Sequence, residues 1–191
     1  MIEYVVIVLA VFLFGMQHSG MSALKVKNRI IDRWGKKGYS RVYTITASIT
    51  LLIAFLSMQF WDWLYFLFQS FNILSFAVGI LLIIIGLVIT TAATRVISVS
   101  TVADMRTDRK PELVTDGIYA QVRHPLYLAT IILLIGLIFL YLPFLRVIVF
   151  SLSLIAYTLI GAYLEERKLI CHYGQDYLDY REQVGFILPK L

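Results

Sequence analysis

Residues 112–127 read ELVTDGIYAQVRHPLY, and this polar stretch interrupts an otherwise apolar chain. Pro125 can occupy the first position of a helix, since a proline there loses no useful N–H and already has a helical φ. The residue before a proline disfavours the helical conformation, so His124 is predicted to lie at the cap of that helix. We therefore predict that a loop ends and an apolar helix begins here.

This arrangement places two potential cations, Arg123 and His124, at the positive end of a helix dipole. Each charge of that sign costs a bare helix about 0.3–1 kcal/mol. A bound anion would reverse the effect, because the free N–H groups of a helix N-terminus bind anions. The stretch is therefore a candidate ligand site. The alternative is that Arg123 contacts lipid headgroups and His124 is a neutral polar residue.

The composition indicates a membrane protein. Hydrophobic residues make up 60% of the 191 residues and the mean hydropathy is +0.81, whereas soluble domains have about 45–50% apolar residues. The net charge of +5 does not indicate nucleic acid, because the basic residues lie beside apolar runs, as the positive-inside rule expects. One cysteine excludes an intramolecular disulfide, and with three histidines at unpaired spacings it makes a poor metal site.

Five apolar stretches are predicted to cross the bilayer, which needs about 20 residues per helix. The basic segment between the first two is expected to be an interfacial loop or a short amphipathic helix, and an aromatic belt follows the second. The short connection between the last two predicts an antiparallel hairpin. We thus expect a single all-α membrane domain over residues 1–191, with short tail helices. The predicted spans are about residues 4–22, 43–60, 73–97, 125–142 and 144–164, the basic segment is 25–41 and the belt is 61–66.

The distribution of charge predicts the orientation. All but Arg146 of the 17 lysines and arginines lie in the first loop, in the third loop with its flanking helix ends, or in the C-terminal tail. Five spans put these three regions on one side, which the positive-inside rule makes cytoplasmic. Glu3 and the absence of a basic residue before the first apolar run argue against a signal peptide. We expect a cell or inner membrane protein with its N-terminus outside and its C-terminus in the cytoplasm.

The end of the fifth span carries a second polar cluster, Glu165 and Glu166. A carboxylate at that depth is costly unless it is paired or lies in a wet cavity, so it is a candidate site by default. The alternative is an interfacial ion pair with Arg167 or Lys168. Three tail tyrosines at helical spacing are interpreted as packing or interface anchors. Three threonines near the end of the third span either face neighbouring helices or line a polar cavity. These residues are Tyr173, Tyr177 and Tyr180, and Thr90, Thr91 and Thr94.

The two polar clusters flank the same end of one predicted hairpin, so we expect them to lie close together. A base-capable histidine, a carboxylate and a helix N-terminus beside a membrane cavity suit a zwitterionic cosubstrate that meets a lipophilic one. There is no glycine-rich dinucleotide fingerprint and no P-loop. On these features alone a transferase, a reductase, a transporter and a scaffold all stay open.

Two motifs in this order resemble the isoprenylcysteine carboxyl methyltransferase superfamily: LVxxGxY…RHPxY from residue 113, and EE…L…YGxxYxxY…P from residue 165. The resemblance implies a small integral membrane methyltransferase with S-adenosyl-L-methionine at the cytoplasmic end of the hairpin. The cofactor-binding half would be about residues 112–191. The implied cofactor-binding residues are Leu113, Val114, Gly117, Tyr119, Arg123, His124, Pro125, Tyr127, Glu165 and Glu166.

Within that superfamily, the chain is similar to the NnrU and methanethiol S-methyltransferase branch. The similarity lies in the segments QHS from residue 17, RxY from residue 41 and LEERxL from residue 164. The carboxyl methyltransferases place an arginine a few residues before the paired glutamates, where this chain has IGAYL at 160–164. The resemblance therefore favours S-methylation of a small or lipophilic thiol. The alternatives are isoprenylcysteine-type carboxyl O-methylation and phospholipid N-methylation.

Methyl transfer from a sulfonium to a thiolate neutralises charge, which a dry cavity favours. A thiol with a pKa near 8.5 must first lose its proton, and a histidine or glutamate can take it. Glu165, His124 and His18 are the candidate catalytic residues, although His18 could also be only a polar group at a helix end. Two alternative functions are an NADPH-dependent reductase and a non-enzymatic NnrU-type accessory protein that binds a protein partner. The sequence leaves the oligomeric state open.

Overall fold

The computed structural model describes residues 1–59, 72–96, 113–142 and 144–190, and the all-α fold class is confirmed. The aromatic residues 61–66, residues 97–112 of the third span and polar loop, and Pro143 lie outside the described residues. A 3-10 helix, Gly117–Ala120, precedes α4. The helices are α1 (Ile2–Ser22), α2 (Leu24–Leu56), α3 (Ile73–Val96), α4 (Pro125–Leu140), α5 (Leu145–Tyr173) and α6 (Gln175–Gln183).

Four helices of the described part, α1, α2, α3 and α5, are long and apolar enough to cross a membrane. The apolar helix α4 has 16 residues and is about 24 Å long, against a hydrocarbon core of about 30 Å. Large apolar side chains cover the outer faces of these helices; Leu81 and Val88 of α3 are 57% and 60% exposed. Such a surface is stable against lipid rather than water. The multi-pass membrane architecture is therefore confirmed.

Helix α2 is interrupted at Gly35, whose φ is +70°, a conformation that glycine adopts without steric cost. The helical segment before Gly35 is the amphipathic helix expected from the basic residues. Its polar side chains include Lys25, Arg29 and Arg33. The segment after Gly35 is already helical at residues 36–42, so the second span belongs to a longer helix than predicted.

Helices α3 and α4 pack at close range because small residues face each other. A Cβ atom on Gly79 would lie 2.9 Å from the carbonyl oxygen of Gly136, and one on Gly86 would lie 3.2 Å from that of Ala129. These pairs run in opposite chain directions, so the two helices are antiparallel. Close approach at small residues is the usual packing mode between membrane helices, where van der Waals contact replaces the hydrophobic effect.

The hydroxyl groups at the end of α3 are bonded within their own helix. Thr90 donates to the carbonyl of Gly86 at 2.9 Å, and Thr94 donates to that of Thr90 at 2.8 Å. Thr91 likewise donates to the carbonyl of Val88. These bonds satisfy all three hydroxyl donors within the helix itself.

The position of α5 brings the functional residues to one end of the bundle. Arg146 at the start of α5 donates through Nε to Glu3 of α1 at 3.0 Å, and Tyr157 lies 3.0 Å from Ser19 near the end of α1. Helices α1 and α5 are therefore parallel, while α4 runs antiparallel to α5 as the hairpin prediction expects. The ends of α1 and α5 and the start of α4 thus share one end of the bundle, called here the site end.

Candidate functional site

The site begins at Arg123, which turns inward to Glu166 of α5. Its Nε donates to Glu166 Oε1 at 2.7 Å, and the two side chains are only 7% and 12% exposed. Arg123 therefore does not point to headgroups, and the carboxylate is not paired with Arg167, whose guanidinium contacts Tyr163. The anion expected at the N-terminus of α4 is thus supplied by the chain itself.

His124 is the N-cap residue of α4, with Pro125 at the first helical position as predicted. Its side chain is 4% exposed, and Nε2 lies 3.5 Å from Glu166 Oε1, too far for a hydrogen bond. Among the described residues Nε2 has no hydrogen-bond partner. Burial lowers the pKa of the His124 imidazole below its usual value, and this effect outweighs the opposing fields of Glu165 and Glu166. His124 is therefore a buried imidazole whose Nε2 has no hydrogen-bond partner in the described part of the chain.

Glu165 faces a different partner from Glu166. It is half-buried and accepts a 2.6 Å hydrogen bond from the Tyr127 hydroxyl of α4. The Tyr127 ring fits beside Gly161, where a Cβ atom would lie 3.5 Å from ring atom Cε1. Consecutive helical residues are about 100° apart around the axis. The two glutamates therefore project to different sides of the α4–α5 pair, and the predicted proximity of the two polar clusters is confirmed.

The C-terminal segment is bound to the Arg123–His124 turn. The N–H of Arg123 donates to Gly185 O at 2.9 Å, and that of His124 to Phe186 O at 3.2 Å. The Arg123 guanidinium also donates to the carbonyls of Arg181 and Val184. The Phe186 ring lies 5.1 Å from the His124 ring. Arg123 therefore joins α4, α5 and the tail at a single point.

The tail tyrosines also bond to the site, beyond the packing role predicted for them. Tyr177 donates to Glu166 Oε1 at 3.2 Å, and Tyr180 donates to the Tyr119 carbonyl at 2.6 Å. Both rings are buried together with Val184, and burial raises the pKa of Tyr180 to about 12. The i, i+3 spacing was the signal for this shared face, but it did not reveal the two hydrogen bonds.

The first motif lies on the segment that leads to α4. Gly117 opens the 3-10 helix with φ of +59°, and a Cβ atom there would lie 3.0 Å from Val96 of α3. Tyr119 is buried at 8% exposure, and Leu113 packs against the buried tail tyrosines. Val114 is half-buried. These residues form the surroundings of the Arg123–His124 turn, next to the glutamates of α5.

His18 belongs to a second group of polar residues, which we call the His18 cluster: His18, Ser19, Tyr43 and Tyr157. The Tyr43 hydroxyl lies 2.9 Å from His18 Nδ1, and the Tyr157 hydroxyl lies 3.0 Å from Ser19 Oγ. The cluster joins α1, α2 and α5 at the site end. It is separate from the His124–Glu166 contact, and nothing in the sequence singled out Tyr157.

Known proteins resemble this chain over the same residues. The family model for phospholipid methyltransferase matches residues 74–176. A methanethiol S-methyltransferase of Pseudomonas deceptionensis is 29% identical over 96% of this chain and 72% of that protein. Another, of Pseudomonas sp. (strain GM41(2012)), is 34% identical over 44% of this chain. The protein-S-isoprenylcysteine O-methyltransferase of Schizosaccharomyces pombe is 38% identical over 41% of this chain.

The chain spans 32% of the length of the Pseudomonas sp. relative and 34% of the Schizosaccharomyces pombe relative. No solved structure matches. The family match includes nearly all of α3, the whole of α4 and α5, and the residues Arg123, His124 and Glu166, whereas the tail residues 181–186 lie beyond it. Because it covers more than half of the chain, this protein belongs to the phospholipid methyltransferase family of membrane methyltransferases.

Proposed function

We propose that this protein transfers a methyl group from S-adenosyl-L-methionine to a small or lipophilic thiol. The observation that carries the proposal is the juxtaposition, at the start of α4, of the Glu165–Tyr127 hydrogen bond with His124 Nε2, which no described residue hydrogen-bonds. Membership of a methyltransferase family supplies the class of reaction. The methyl donor and acceptor are part of the proposal.

The polar groups at the site end fit such a cofactor. A carboxylate accepts several hydrogen bonds, and Glu165 retains acceptor capacity for an ammonium group or a ribose hydroxyl beside the bond from Tyr127. His124 Nε2 offers a further polar contact from a buried position. When bound, the cofactor would supply a methyl group on a positively charged sulfur. Tyr127 would hold the Glu165 carboxylate in one orientation toward it.

The remaining motif residues would shape the pocket. The donors of Arg123 that have described partners go to Glu166 and to tail carbonyls, so we assign Arg123 and Glu166 a positioning role. They hold the turn that carries His124. The conformation of Pro125 starts α4 directly after it. The pocket walls would be formed by Leu113, Val114, Gly117 and Tyr119.

The choice of a thiol rests on two observations. Two of the relatives are named methanethiol S-methyltransferases, and one of them aligns over 96% of this chain. In addition, Gly161 stands one helical turn before Glu165, where a cation could have bound an acceptor carboxylate. The Tyr127 ring lies against Gly161 instead. A neutral acceptor therefore suits this face of α5 better than an anionic one.

We also propose that the site end faces the cytoplasm, within a single membrane domain whose N-terminus is outside. The basic amphipathic part of α2 and the C-terminal tail both lie at this end, in agreement with the positive-inside rule. A cytoplasmic site would give a water-soluble cofactor direct access. The acceptor could then enter from the bilayer.

The test is calorimetric binding of S-adenosyl-L-methionine to the detergent-solubilised protein. We expect micromolar binding that Glu165→Gln and His124→Ala abolish or weaken by at least about tenfold, since a hydrogen bond to a charged group contributes about 1.5–3 kcal/mol. The matched control is Glu182→Gln, on the exposed face of α6, which should bind normally. Unchanged affinity in both site variants would refute the site assignment.

A screen with labelled methyl groups then separates the acceptors. Thiols, prenylcysteines and phospholipids would be offered to the same preparation, and we expect label on thiols. Transfer to a prenylcysteine or a phospholipid would replace the thiol proposal with the corresponding alternative. If well-folded protein binds no S-adenosyl-L-methionine, the accessory-protein or reductase alternative would apply.

A further inference from the structure

The His18 cluster combines polar groups from three membrane helices, with His18 half-buried and Ser19 exposed. The Tyr43 hydroxyl lies between the two ring nitrogens of His18, 2.9 Å from Nδ1 and 3.1 Å from Nε2. On the other side, the Tyr157 hydroxyl contacts Ser19. Polar and ionisable groups within membrane helices are costly, and they commonly mark a binding or reaction site.

The position of the Tyr43 hydroxyl leaves His18 with unused capacity. The lone pair and the N–H of a neutral imidazole point in diverging directions in the ring plane. A hydroxyl nearly equidistant from both nitrogens cannot lie along both directions, and hydrogen bonds weaken steeply away from linearity. When the Tyr43 hydroxyl accepts from the N–H nitrogen, the lone pair on the other ring nitrogen of His18 can take a proton from another molecule.

Aromatic rings surround this imidazole. The centroids of Phe14, Tyr43 and Tyr157 lie 5.5, 5.4 and 6.4 Å from that of His18. Tyr157 reaches this position because residue 15 is glycine; a Cβ atom there would lie 2.8 Å from the ring. Aromatic rings make favourable contacts with divalent sulfur. The surroundings thus suit a small apolar molecule that carries a sulfur atom.

A continuous set of side chains links this cluster to the proposed cofactor site. Tyr157, Gly161 and Glu165 follow each other at four-residue spacing, so they share one face of α5. The Tyr127 ring covers Gly161, and its hydroxyl bonds to Glu165. The acceptor and donor sites would therefore adjoin each other across Tyr127.

We infer that the His18 cluster binds the methyl acceptor, that this acceptor is a small uncharged thiol, and that His18 takes the thiol proton. The inference rests on the proposed function. The acceptor S–H bond breaks, and its electron pair forms the new S–C bond to the transferred methyl. The C–S bond of the sulfonium breaks with its electron pair left on the departing thioether sulfur. The proton stays on His18 until water removes it.

The test compares two acceptors in His18→Gln. With 1-butanethiol, which must lose its proton during the reaction, we expect kcat/KM to fall by about 100-fold or more, the usual contribution of a general base. With thiophenol, which is already largely a thiolate at neutral pH, the fall should stay within about tenfold. S-adenosyl-L-methionine affinity, measured by calorimetry, should be unchanged. The matched control is His172→Gln, in the last turn of α5 and outside the His18 cluster, which should behave as the wild type.

Each other result overturns the inference. An equal loss with both thiols would give His18 a purely structural role, and no loss with either would exclude it from the reaction. If His18→Gln fails to bind the cofactor, the same comparison is made with Tyr43→Phe, which keeps the ring. A loss that does not depend on the thiol would then refute the inference. Absence of cofactor binding in the wild type would instead refute the proposed function.

Discussion

The buried pair of Arg123 and Glu166 makes a sharp prediction about stability. Replacing Arg123 with methionine keeps an apolar stem of similar length but leaves the Glu166 carboxylate buried with only the Tyr177 hydroxyl as a described donor. Because the two side chains are 7% and 12% exposed, water cannot solvate the abandoned charge well. Removal of one partner from such a pair costs about 3–5 kcal/mol. Arg123→Met should lower the free energy of unfolding by this amount.

A second substitution separates the charge from the shape of the side chain. When Glu166→Gln is added to Arg123→Met, it removes the abandoned charge but keeps an acceptor for Tyr177. The double variant should therefore be more stable than Arg123→Met alone by about 1–3 kcal/mol. The matched control, Arg167→Met, changes an exposed guanidinium on α5, the helix that carries Glu166. It should stay within about 0.5 kcal/mol of the wild type.

The assay is equilibrium unfolding in mixed micelles with a denaturing detergent, followed by circular dichroism. Limited proteolysis gives a second measurement, because Arg123 also bonds to the carbonyls of Arg181 and Val184. Cleavage after Phe186 should become faster in Arg123→Met. The reasoning is refuted if Arg123→Met lowers the free energy of unfolding by less than about 1 kcal/mol. It is also refuted if adding Glu166→Gln to Arg123→Met lowers that free energy further.

Three further predictions concern packing, pH and the tail. Gly79→Ala should cost about 1–3 kcal/mol of unfolding free energy, since its Cβ would clash with the α4 backbone, whereas Gly20→Ala meets nothing within 4 Å and should be neutral in the same unfolding assay. His124 has a lowered pKa in the folded state, so the unfolded chain binds more protons in acid. Stability should fall as the pH drops below about 6.5 and level off below the folded-state pKa. A His124→Gln variant with an unchanged slope would contradict this assignment. Tyr180→Phe loses the bond to the Tyr119 carbonyl and should cost about 0.5–1.5 kcal/mol, with faster proteolysis of the tail; an unaltered cleavage rate would count against the contact.

Local features made much of the fold predictable. Apolar length marked the spans, and Pro125 marked the start of α4 because its ring chemistry acts on its own residue and the one before it. Helix α5 ends at Gly174, whose φ of +63° suits glycine. The break at Gly35 was missed, since a glycine inside a basic segment carries no sign of its φ. For the same reason the second span was predicted to begin at about residue 43, whereas the chain after Gly35 is already helical at residues 36–42.

The partners in the site were less predictable. The sequence indicated that the two polar clusters would meet, because both flank one hairpin. It could not distinguish Glu165 from Glu166, since adjacent residues differ by about 100° around the helix and the rotation of α5 is set by packing. That rotation directs Glu165 to Tyr127 and Glu166 to Arg123. It also brings Tyr157 to Ser19 in the His18 cluster, a contact for which the sequence held no signal.

The sequence by itself therefore determined the membrane class, most helix boundaries and the residues with chemical potential. These follow from composition, apolar length and the backbone preferences of proline and glycine, which act over a few residues. Only the tertiary structure decided which carboxylate Arg123 neutralises, how the tail closes on His124, and that His18 meets Tyr43. Those pairings depend on the relative rotation of helices distant in the chain, which is set by the summed packing of many side chains.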